Sequence, residues 1–537
     1  MSNTTTQQGL NLPKRDSPSL KLVHPTEGEK LLTWRANGAY WRGALSMDAY
    51  CRREEHLATQ PLTRHGAMTY WVLVDGEEEP QTATIEDEKT GEAVPATNTT
   101  SSNTKEPTTS TSTTPIAIPN GNIAPNTTST TTTTSNGNIT PDENGHTNTT
   151  PNNGTNIGTI NTNTQTNTKA NTKAEAKTSD TTGTSTQTKA RTVLSSCETL
   201  RKRALVAHDN KVEDVVAQGV GSVFCQPHLR GHGYSSRMMD ELARKLTTHH
   251  GESGKCAFTV LFSDIGKKFY AKHGWHPFDS THIALPPAAA GAGAGAANGG
   301  AANGHAKVRG LARPLYANDL AELCEADERL IRRYLTAKAS VPGKVHVALV
   351  PDVDTMQWHH SREEFIAEEL FKRDPAIKGA IVGDEPGKRV WCIWTRTWAS
   401  KDDVEDGGNV MQILRIVAEE HVLASCNDLA VSHHHGVVDG VDGRQSTADS
   451  SHLEEAIVAL LLMAQDEANK WNMKEVNIWN PTDLVVRATR RILPSAEVID
   501  RESESITSLM WYGNGLDGVK EYPKNLVWVG NEKYGWC

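Results

Sequence analysis

Apolar residues in this chain gather into short runs and one-sided stripes, separated by long stretches with hardly any. MTYWVLVD (68–75), TVLSSCETLRKRALV (192–206), VVAQGVGSVFC (215–225) and KCAFTVLFSD (255–264) are rich in β-branched and aromatic residues and read as strands. Between the last two, Met238, Met239, Leu242 and Leu246 recur at helical spacing with charged residues between them, which predicts an amphipathic helix. Helices are also predicted within 29–56 and over 265–274, and WHPFDSTHIAL (275–285) reads as a closing strand.

From residue 307 the outline repeats. A strand and a helix fall within 305–335, then strand KVHVALV (344–350) and helix DTMQWHHSREEFIAEELF (354–371). A hairpin at 378–398 and a strand within 409–420 lead to a long helix at 453–471. Strand 475–480, helix 482–493 and strands near 496–499 and 506–512 complete the pattern. The fold class expected is mixed α/β.

Two segments lack the side chains to build a core. Residues 81–190 are dominated by Thr, Asn, Ser and Gly; they bury too little to offset ordering entropy and are read as disordered. PPAAAGAGAGAANGGAANGHA (286–306) reads as a flexible linker. The strands flanking the first segment then form one hairpin with an expanded turn, which the slow growth of closure entropy tolerates. These divisions give one domain of 18–80 plus 191–285 and a second of 307–537, the latter with a polar insertion at about 424–452.

Composition narrows the function. A chain of 537 residues normally folds as more than one domain, and its formal charge of −10 leaves no basic footprint for nucleic acid. The eight cysteines include no C-x-x-C pair, so neither a zinc site nor a disulfide framework is indicated. No apolar run is long enough to span a bilayer, and the first residues form no signal peptide. The expectation is a reduced, cytoplasmic protein with no metal and no nucleic-acid or membrane partner. Nothing in the sequence sets an oligomeric state.

Two motifs carry chemistry. VSHHHGVVDG (431–440) spells His-His-x-x-x-Asp-Gly from His434, a pattern in which one class of acyltransferases uses a histidine as general base. Here it lies among Asp, Gly, Ser and Asn, so a condensation-type mechanism is set aside and His435 is expected to be dispensable. The second motif is stronger. Strand 215–225 runs into Arg230-Gly231-His232-Gly233-Tyr234-Ser235 and then a helix N-terminus, where free N–H groups and the helix dipole suit an anion such as a pyrophosphate.

The order of elements and these residues resemble the GNAT superfamily of acetyl-CoA-dependent N-acetyltransferases. Arg230, Gly233 and Ser235 match its Arg/Gln-x-x-Gly-x-Gly/Ala loop, with serine in the last place, where its hydroxyl is expected to cap the helix. Tyr270, Gly274 and Trp275 match the later Tyr-x-x-x-Gly-Phe element, and Ser263 stands where the family has asparagine. LSSCETLRKRAL, GYSSRMMDELARKL, SDIGKKFYAKHGWHPF and NEKYGWC resemble, more narrowly, the fungal lysine N6-acetyltransferase family.

That resemblance implies an N-terminal GNAT fold and a second, degenerate GNAT-like domain without a phosphate loop, which closes over the first and shapes the acceptor pocket. It implies acetyl-CoA as co-substrate. Val223, Phe224 and Cys225 would lie along the pantetheine arm, and Arg230, Gly231, His232, Gly233, Tyr234, Ser235 and Ser236 would hold the pyrophosphate. Tyr270 would serve the leaving thiolate, and Glu198 and Glu213, on strands beside the cofactor arm, are the candidate bases. The acceptor implied is free L-lysine, at the opening of lysine catabolism. A protein or polyamine acetyltransferase and a catalytically silent acetyl-CoA sensor are the competing readings. Asp352, Asp354, Trp358, His359, Glu363, Tyr534 and Trp536 are candidates for the acceptor pocket.

Overall fold

The computed structural model of the chain describes residues 12–76, 191–248, 250–251, 254–289, 307–401, 408–421, 447–513 and 522–536. The bulk of the Thr/Asn-rich segment, most of the Ala/Gly-rich linker and the His-His-x-x-x-Asp-Gly motif lie outside these residues. Strand β1 (Leu20–Val23) is followed by helices α1 (Glu27–Trp41) and α2 (Met47–Ala58) and by β2 (Met68–Asp75), its antiparallel partner. α1 begins at a capping box: Thr26 Oγ1 accepts from the Glu29 N–H at 3.3 Å, and Glu29 Oε2 accepts from the Thr26 N–H at 2.8 Å. Glu29 also receives two bonds from Arg191, which ties the start of the next strand to α1.

That strand, β3 (Thr192–His208), pairs antiparallel with β2, Asp75 opposite Thr192. The segment between them therefore leaves and returns at neighbouring positions, as expected of an expanded hairpin. β3 turns into β4 (Lys211–Phe224) through Asp209 and Asn210, both at positive φ (49° and 61°), the conformation of a two-residue primed turn. Then come α3 (Tyr234–Thr248), β5 (His250–Gly251), β6 (Gly254–Ser263), α4 (Lys268–Ala271), β7 (His276–Pro277) and β8 (Thr281–Leu285). Met238, Met239, Leu242 and Leu246, the predicted stripe of α3, are all buried against the sheet.

The later part runs β9 (Ala312–Leu315), α5 (Leu320–Lys338), β10 (Val345–Leu349), α6 (Val353–Phe371), β11 (Gly379–Val382), β12 (Val390–Thr397) and β13 (Val410–Ala418). It ends with α7 (Thr447–Lys470), β14 (Glu475–Trp479), α8 (Asp483–Ile492), β15 (Ile499–Asp500), β16 (Ile506–Trp511) and β17 (Leu526–Trp528).

Two sheets result. The first has the order β1-β2-β3-β4-β6-β16-β7, with β5 beside β6, β10 beside the far half of β3, and β17 beside β10. The second has the order β15-β8-β14-β13-β12-β11-β9. The strands predicted from the sequence are present, but their partners differ from a simple succession. β8, read as closing the first sheet, lies between β15 and β14 in the second, while β10 and β16 from the later part complete the first. Alternation fixes that a strand forms and which face is apolar, while the edge it joins is set by packing. Ile283 and Leu285 of β8 are buried in the core under α7, and all five residues of β10 are buried, as suits a strand covered on both faces.

The cores follow the same exchange. One lies between the first sheet and α3, and another packs α5 against strands of both sheets. The largest joins the second sheet and α7 to Trp34, Ala49 and Tyr50 of α1 and α2. α2 is therefore packed against the later part of the chain, where Ser361 of α6 donates to Gln60 (2.9 Å) and Arg52 of α2 pairs with Glu369 (2.9 Å). No helix among the described residues is long and apolar enough to cross a membrane.

Candidate active site

The β3–β4 pair is regular until its open end. Ser196 faces Phe224 but Glu198 faces Gly221, so β4 carries one residue more than β3 across this interval. The excess is a β-bulge, and Ser222 takes the strain at φ 50°. β4 also runs parallel to β6 only as far as Val220, opposite Leu261, after which β6 continues with β16. Past that point β4 has no partner on its β6 side among the described strands. Val223 and Phe224 end this released stretch and Cys225 follows it.

The bulge places Ser222 against Glu198, and the hydroxyl donates to Glu198 Oε1 at 2.6 Å. Burial, then the negative charge of Glu54, pushes the Glu198 carboxyl up to about 7, against the opposing bond from Ser222 and the charge of Arg53. Tyr70 is its cross-strand partner on β2 and donates its hydroxyl to Met68 Sδ at 3.0 Å. Tyr50, Arg53 and Glu54 come from α2, with the Arg53 guanidinium bound to Glu54 and 4.6 Å from the Tyr50 ring centre. Burial, first of all, holds both tyrosine phenols far above their usual range. Arg362 of α6 faces the same three α2 residues, and burial followed by the charge of Arg53 lowers its guanidinium to about 9.

Tyr270 is buried at the end of α4 beside Cys197, and burial raises its phenol, which stays protonated across the neutral range. Glu213, the other base candidate, is exposed next to the β3–β4 turn, opposite Val206. It stands eight residues before Gly221 on β4, about 26 Å from Glu198 along the strand. The alternation that marked it as strand gave no sense of which end of the hairpin is open, and it is not part of this site.

The Gly-containing turn leads straight into α3. Gly231 and Gly233 both adopt positive φ (83° and 82°), and the first helical bond runs from the Arg237 N–H to Gly233 O (3.0 Å). The N–H groups of Tyr234, Ser235 and Ser236 therefore precede the helical ladder. Gly233 occupies the cap position, so Ser235 lies inside the first turn, near the Cys225 thiol, rather than capping the helix. A Cβ on Gly233 would stand 2.9 Å from Arg15 Cδ, and Arg15 reaches on to Asp240 at 2.8 Å. The N-terminal segment thus lays a cation across the turn, held there by the Tyr234 hydroxyl donating to Pro13 O (2.7 Å). Tyr234 and His232 offer the turn backbone more than side chain: the first ring is buried and the second stacks on it. Arg230 is exposed, donates to Cys225 O at 3.0 Å, and lies 5.5 Å from the Tyr40 ring centre.

Most of the residues expected to line the acceptor pocket from the later part do structural work instead. Glu363 is wholly buried and bound by Arg396; His359 bonds Tyr534 O (3.1 Å); Tyr534 is wholly buried and donates to Leu349 O (2.9 Å). Asp352 caps α6 through the Thr355 N–H. Trp358 and Trp536 pack with Leu57, Leu62, Leu200 and Met68, next to the site. Sequence reasoning missed Tyr50, Arg53, Glu54, Tyr70, Ser222 and Arg362. A signal existed for three of them: Tyr50, Arg53 and Glu54 share a helix face with buried Leu57, which puts a charged pair at core positions.

Residues 297–537 match the family described as the LYC1 GNAT-like C-terminal domain. The match covers the later part of the chain, 241 of its 537 residues. In sequence it is similar to a lysine acetyltransferase of Yarrowia lipolytica, 25% identical over 236 residues, which is 39% of this chain and 59% of that protein. The chain thus spans 59% of the length of the curated relative it matches. Among solved structures it is similar to a probable N-acyltransferase of Enterococcus faecalis, 11% identical at TM-score 0.31, over 60% of this chain and 61% of that one. It is also similar to Saccharomyces cerevisiae N-myristoyltransferase with bound myristoyl-CoA, 8% identical at TM-score 0.34, over 59% and 63% of the two chains.

The resemblance in sequence implies an acyl-CoA along the end of β4 and at the turn before α3. The residues fit such a group. Unpaired strand backbone suits an amide-bearing arm, while two glycines, three free N–H groups and an overlying arginine suit a pyrophosphate. Among the described residues there is no grouping of three His, Cys, Asp or Glu side chains placed to hold a metal ion.

Proposed function

We propose that the protein is an acetyl-CoA-dependent N-acetyltransferase that acetylates the side-chain amine of free L-lysine, in the cytoplasm and at the start of lysine breakdown. The observation that carries the reading is Glu198: a carboxylate pushed up to about 7, fixed by Ser222 at the bulge where β4 leaves the sheet. A base titrating near the working pH is the form general-base catalysis needs.

Acetyl-CoA, when bound, supplies an acyl group activated as a thioester. The free backbone of Gly221 to Phe224 aligns the arm, and an N–H there polarises the thioester carbonyl. Arg230, the N–H groups of Gly231 to Ser236, and Arg15 hold the phosphates. An ammonium of pKa about 10.4 needs roughly 4–5 kcal/mol to stand neutral at pH 7. Glu198 takes that proton, directly or through one water, and the buried surroundings of Tyr50 and Tyr70 disfavour the charged amine. The nitrogen then forms its bond to the acyl carbon and the C–S bond breaks. Tyr270 gives the departing sulfur its proton and is replenished by the second proton lost from nitrogen.

The lysine acceptor is supported by the similarity to a protein named lysine acetyltransferase. Thiol release from acetyl-CoA, followed with L-lysine, ornithine, spermidine and a lysine-containing peptide, tests it. Release with lysine is the expected result; release with the peptide alone would rule the reading out, and cofactor binding without any turnover would point to a sensor.

A further inference from the structure

Arg362 sits on α6, the helix strapped to α2, and faces Tyr50, Arg53 and Glu54. It is half-buried, with its guanidinium 5.7 Å from the ring centre of Trp536. Three buried arginines of the later part hold carboxylates, Arg389 with Glu322 and Glu419, Arg396 with Glu363 and Glu467, and Arg415 with Asp327 and Glu532, whereas the buried Arg501 lies over the Trp479 ring, 3.9 Å from its centre. Arg362 has no such partner among the described residues, because Glu54 is already bound to Arg53. A second guanidinium nearby makes the position still less favourable for a cation without an anion.

Its place relative to the base matters equally. Tyr50 lies in the field of both Glu198 and Arg362, whereas Glu198 has Arg53 and Glu54, not Arg362, among its charged neighbours. The anionic Glu198 and the cationic Arg362 thus both act on Tyr50, and Leu200, two residues on from Glu198, shares one apolar cluster with Met68 and with Trp536, the ring beside Arg362.

We propose that Arg362 binds the α-carboxylate of the acceptor, so that the site recognises an amino acid by both ends: the side-chain amine at Glu198 and the carboxylate at Arg362. The inference rests on the free-lysine reading above and sharpens it. A polyamine would set a second cation against Arg362 and Arg53, and a lysine within a peptide has no carboxylate to offer.

The test compares L-lysine, L-lysinamide and cadaverine as acceptors for the full-length wild type, Arg362→Gln and Arg362→Lys, with acetyl-CoA affinity measured alongside. The wild type is expected to prefer lysine over lysinamide by about 10–100-fold in kcat/KM, the value of charge-assisted bonds to one carboxylate. Arg362→Gln is expected to raise the KM for lysine by a similar factor and to erase the preference, with acetyl-CoA affinity intact. Arg362→Lys should restore part of it, which separates loss of the charge from loss of the fold. An unchanged lysine KM in Arg362→Gln, or an equal loss with all three acceptors, would overturn the assignment while leaving lysine as substrate. Wild-type transfer to a peptide but to none of the three would overturn the free-lysine reading itself.

Discussion

The Ser222 hydroxyl lies 2.6 Å from Glu198 Oε1 and donates to it, across a bulge that lets the two strands keep contact while β4 leaves the sheet. The bond stabilises the ionised carboxylate, whereas burial and Glu54 oppose it. Because the base acts in its ionised form, kcat/KM is expected to climb with pH through about 7 and then level off. Ser222→Ala removes a contribution that lowers the pKa, so its acidic limb should move to higher pH with a similar plateau. Glu198→Gln should lower kcat by about 10²–10⁴-fold and abolish that limb. A pH–rate series on the three proteins checks this; an unmoved limb in Ser222→Ala would assign it to another group.

The same bulge shows where sequence reasoning reached its limit. LSSCETLRKRAL and VVAQGVGSVFC were legible as neighbouring strands, and the Asp209–Asn210 turn that joins them was implicit in their order. β3 and β4 each carry one glutamate, Glu213 lying two residues before VVAQGVGSVFC, and only the register distinguishes Glu198 at the released end from Glu213 beside the tight turn. The glycine turn was legible because φ near 80° calls for glycine and a helix start leaves N–H groups free. The exchange of β8 and β16 was hidden, since a buried strand looks alike whichever sheet it joins. Arg362 was hidden for the same reason: its role depends on α6 packing on α2, more than 300 residues away in the chain.

Tyr270 is buried with its hydroxyl held far from ionisation, so it keeps its proton across the neutral range in which Glu198 ionises. Tyr270→Phe keeps the ring that packs on Phe269 (centres 5.0 Å apart) and removes only the proton donor. The expected result is a fall in kcat of about 10²-fold with acetyl-CoA affinity unchanged, read from steady-state kinetics and calorimetry. Full activity would remove Tyr270 from the chemistry.

Gly231 and Gly233 share a backbone conformation but not an environment. A Cβ on Gly231 meets nothing within 4 Å, whereas one on Gly233 meets Arg15 Cδ at 2.9 Å. Alanine at either position should lose about 1–2 kcal/mol of stability to the positive φ. Gly233→Ala should in addition displace Arg15 and weaken acetyl-CoA binding about tenfold, the loss expected of one charge-assisted bond. Denaturant unfolding and calorimetric titration of the two variants separate the effects. Equal acetyl-CoA affinities in the two would take Arg15 out of the cradle.

Arg396 is wholly buried and answers two carboxylates, Glu363 and Glu467, besides donating to Ile377 O at 3.1 Å. Replacing it with methionine fills much of the volume but leaves Glu363 in the core without its bound cation, while Glu467 keeps Lys470 at 3.1 Å. The expected loss is about 3–5 kcal/mol in urea unfolding at pH 7. Its pH dependence has a definite sign. In the variant the carboxyl of Glu363, already raised by burial, loses the opposing charge of Arg396 and stands further above its unfolded value, so the native protein binds its proton more tightly than the unfolded chain. The stability deficit relative to wild type should therefore shrink as pH falls from 8 towards 5 and widen again as it rises. A deficit that does not change with pH would mean that the loss comes from packing against Trp471, whose ring centre lies 5.4 Å from the guanidinium, rather than from the uncompensated charge.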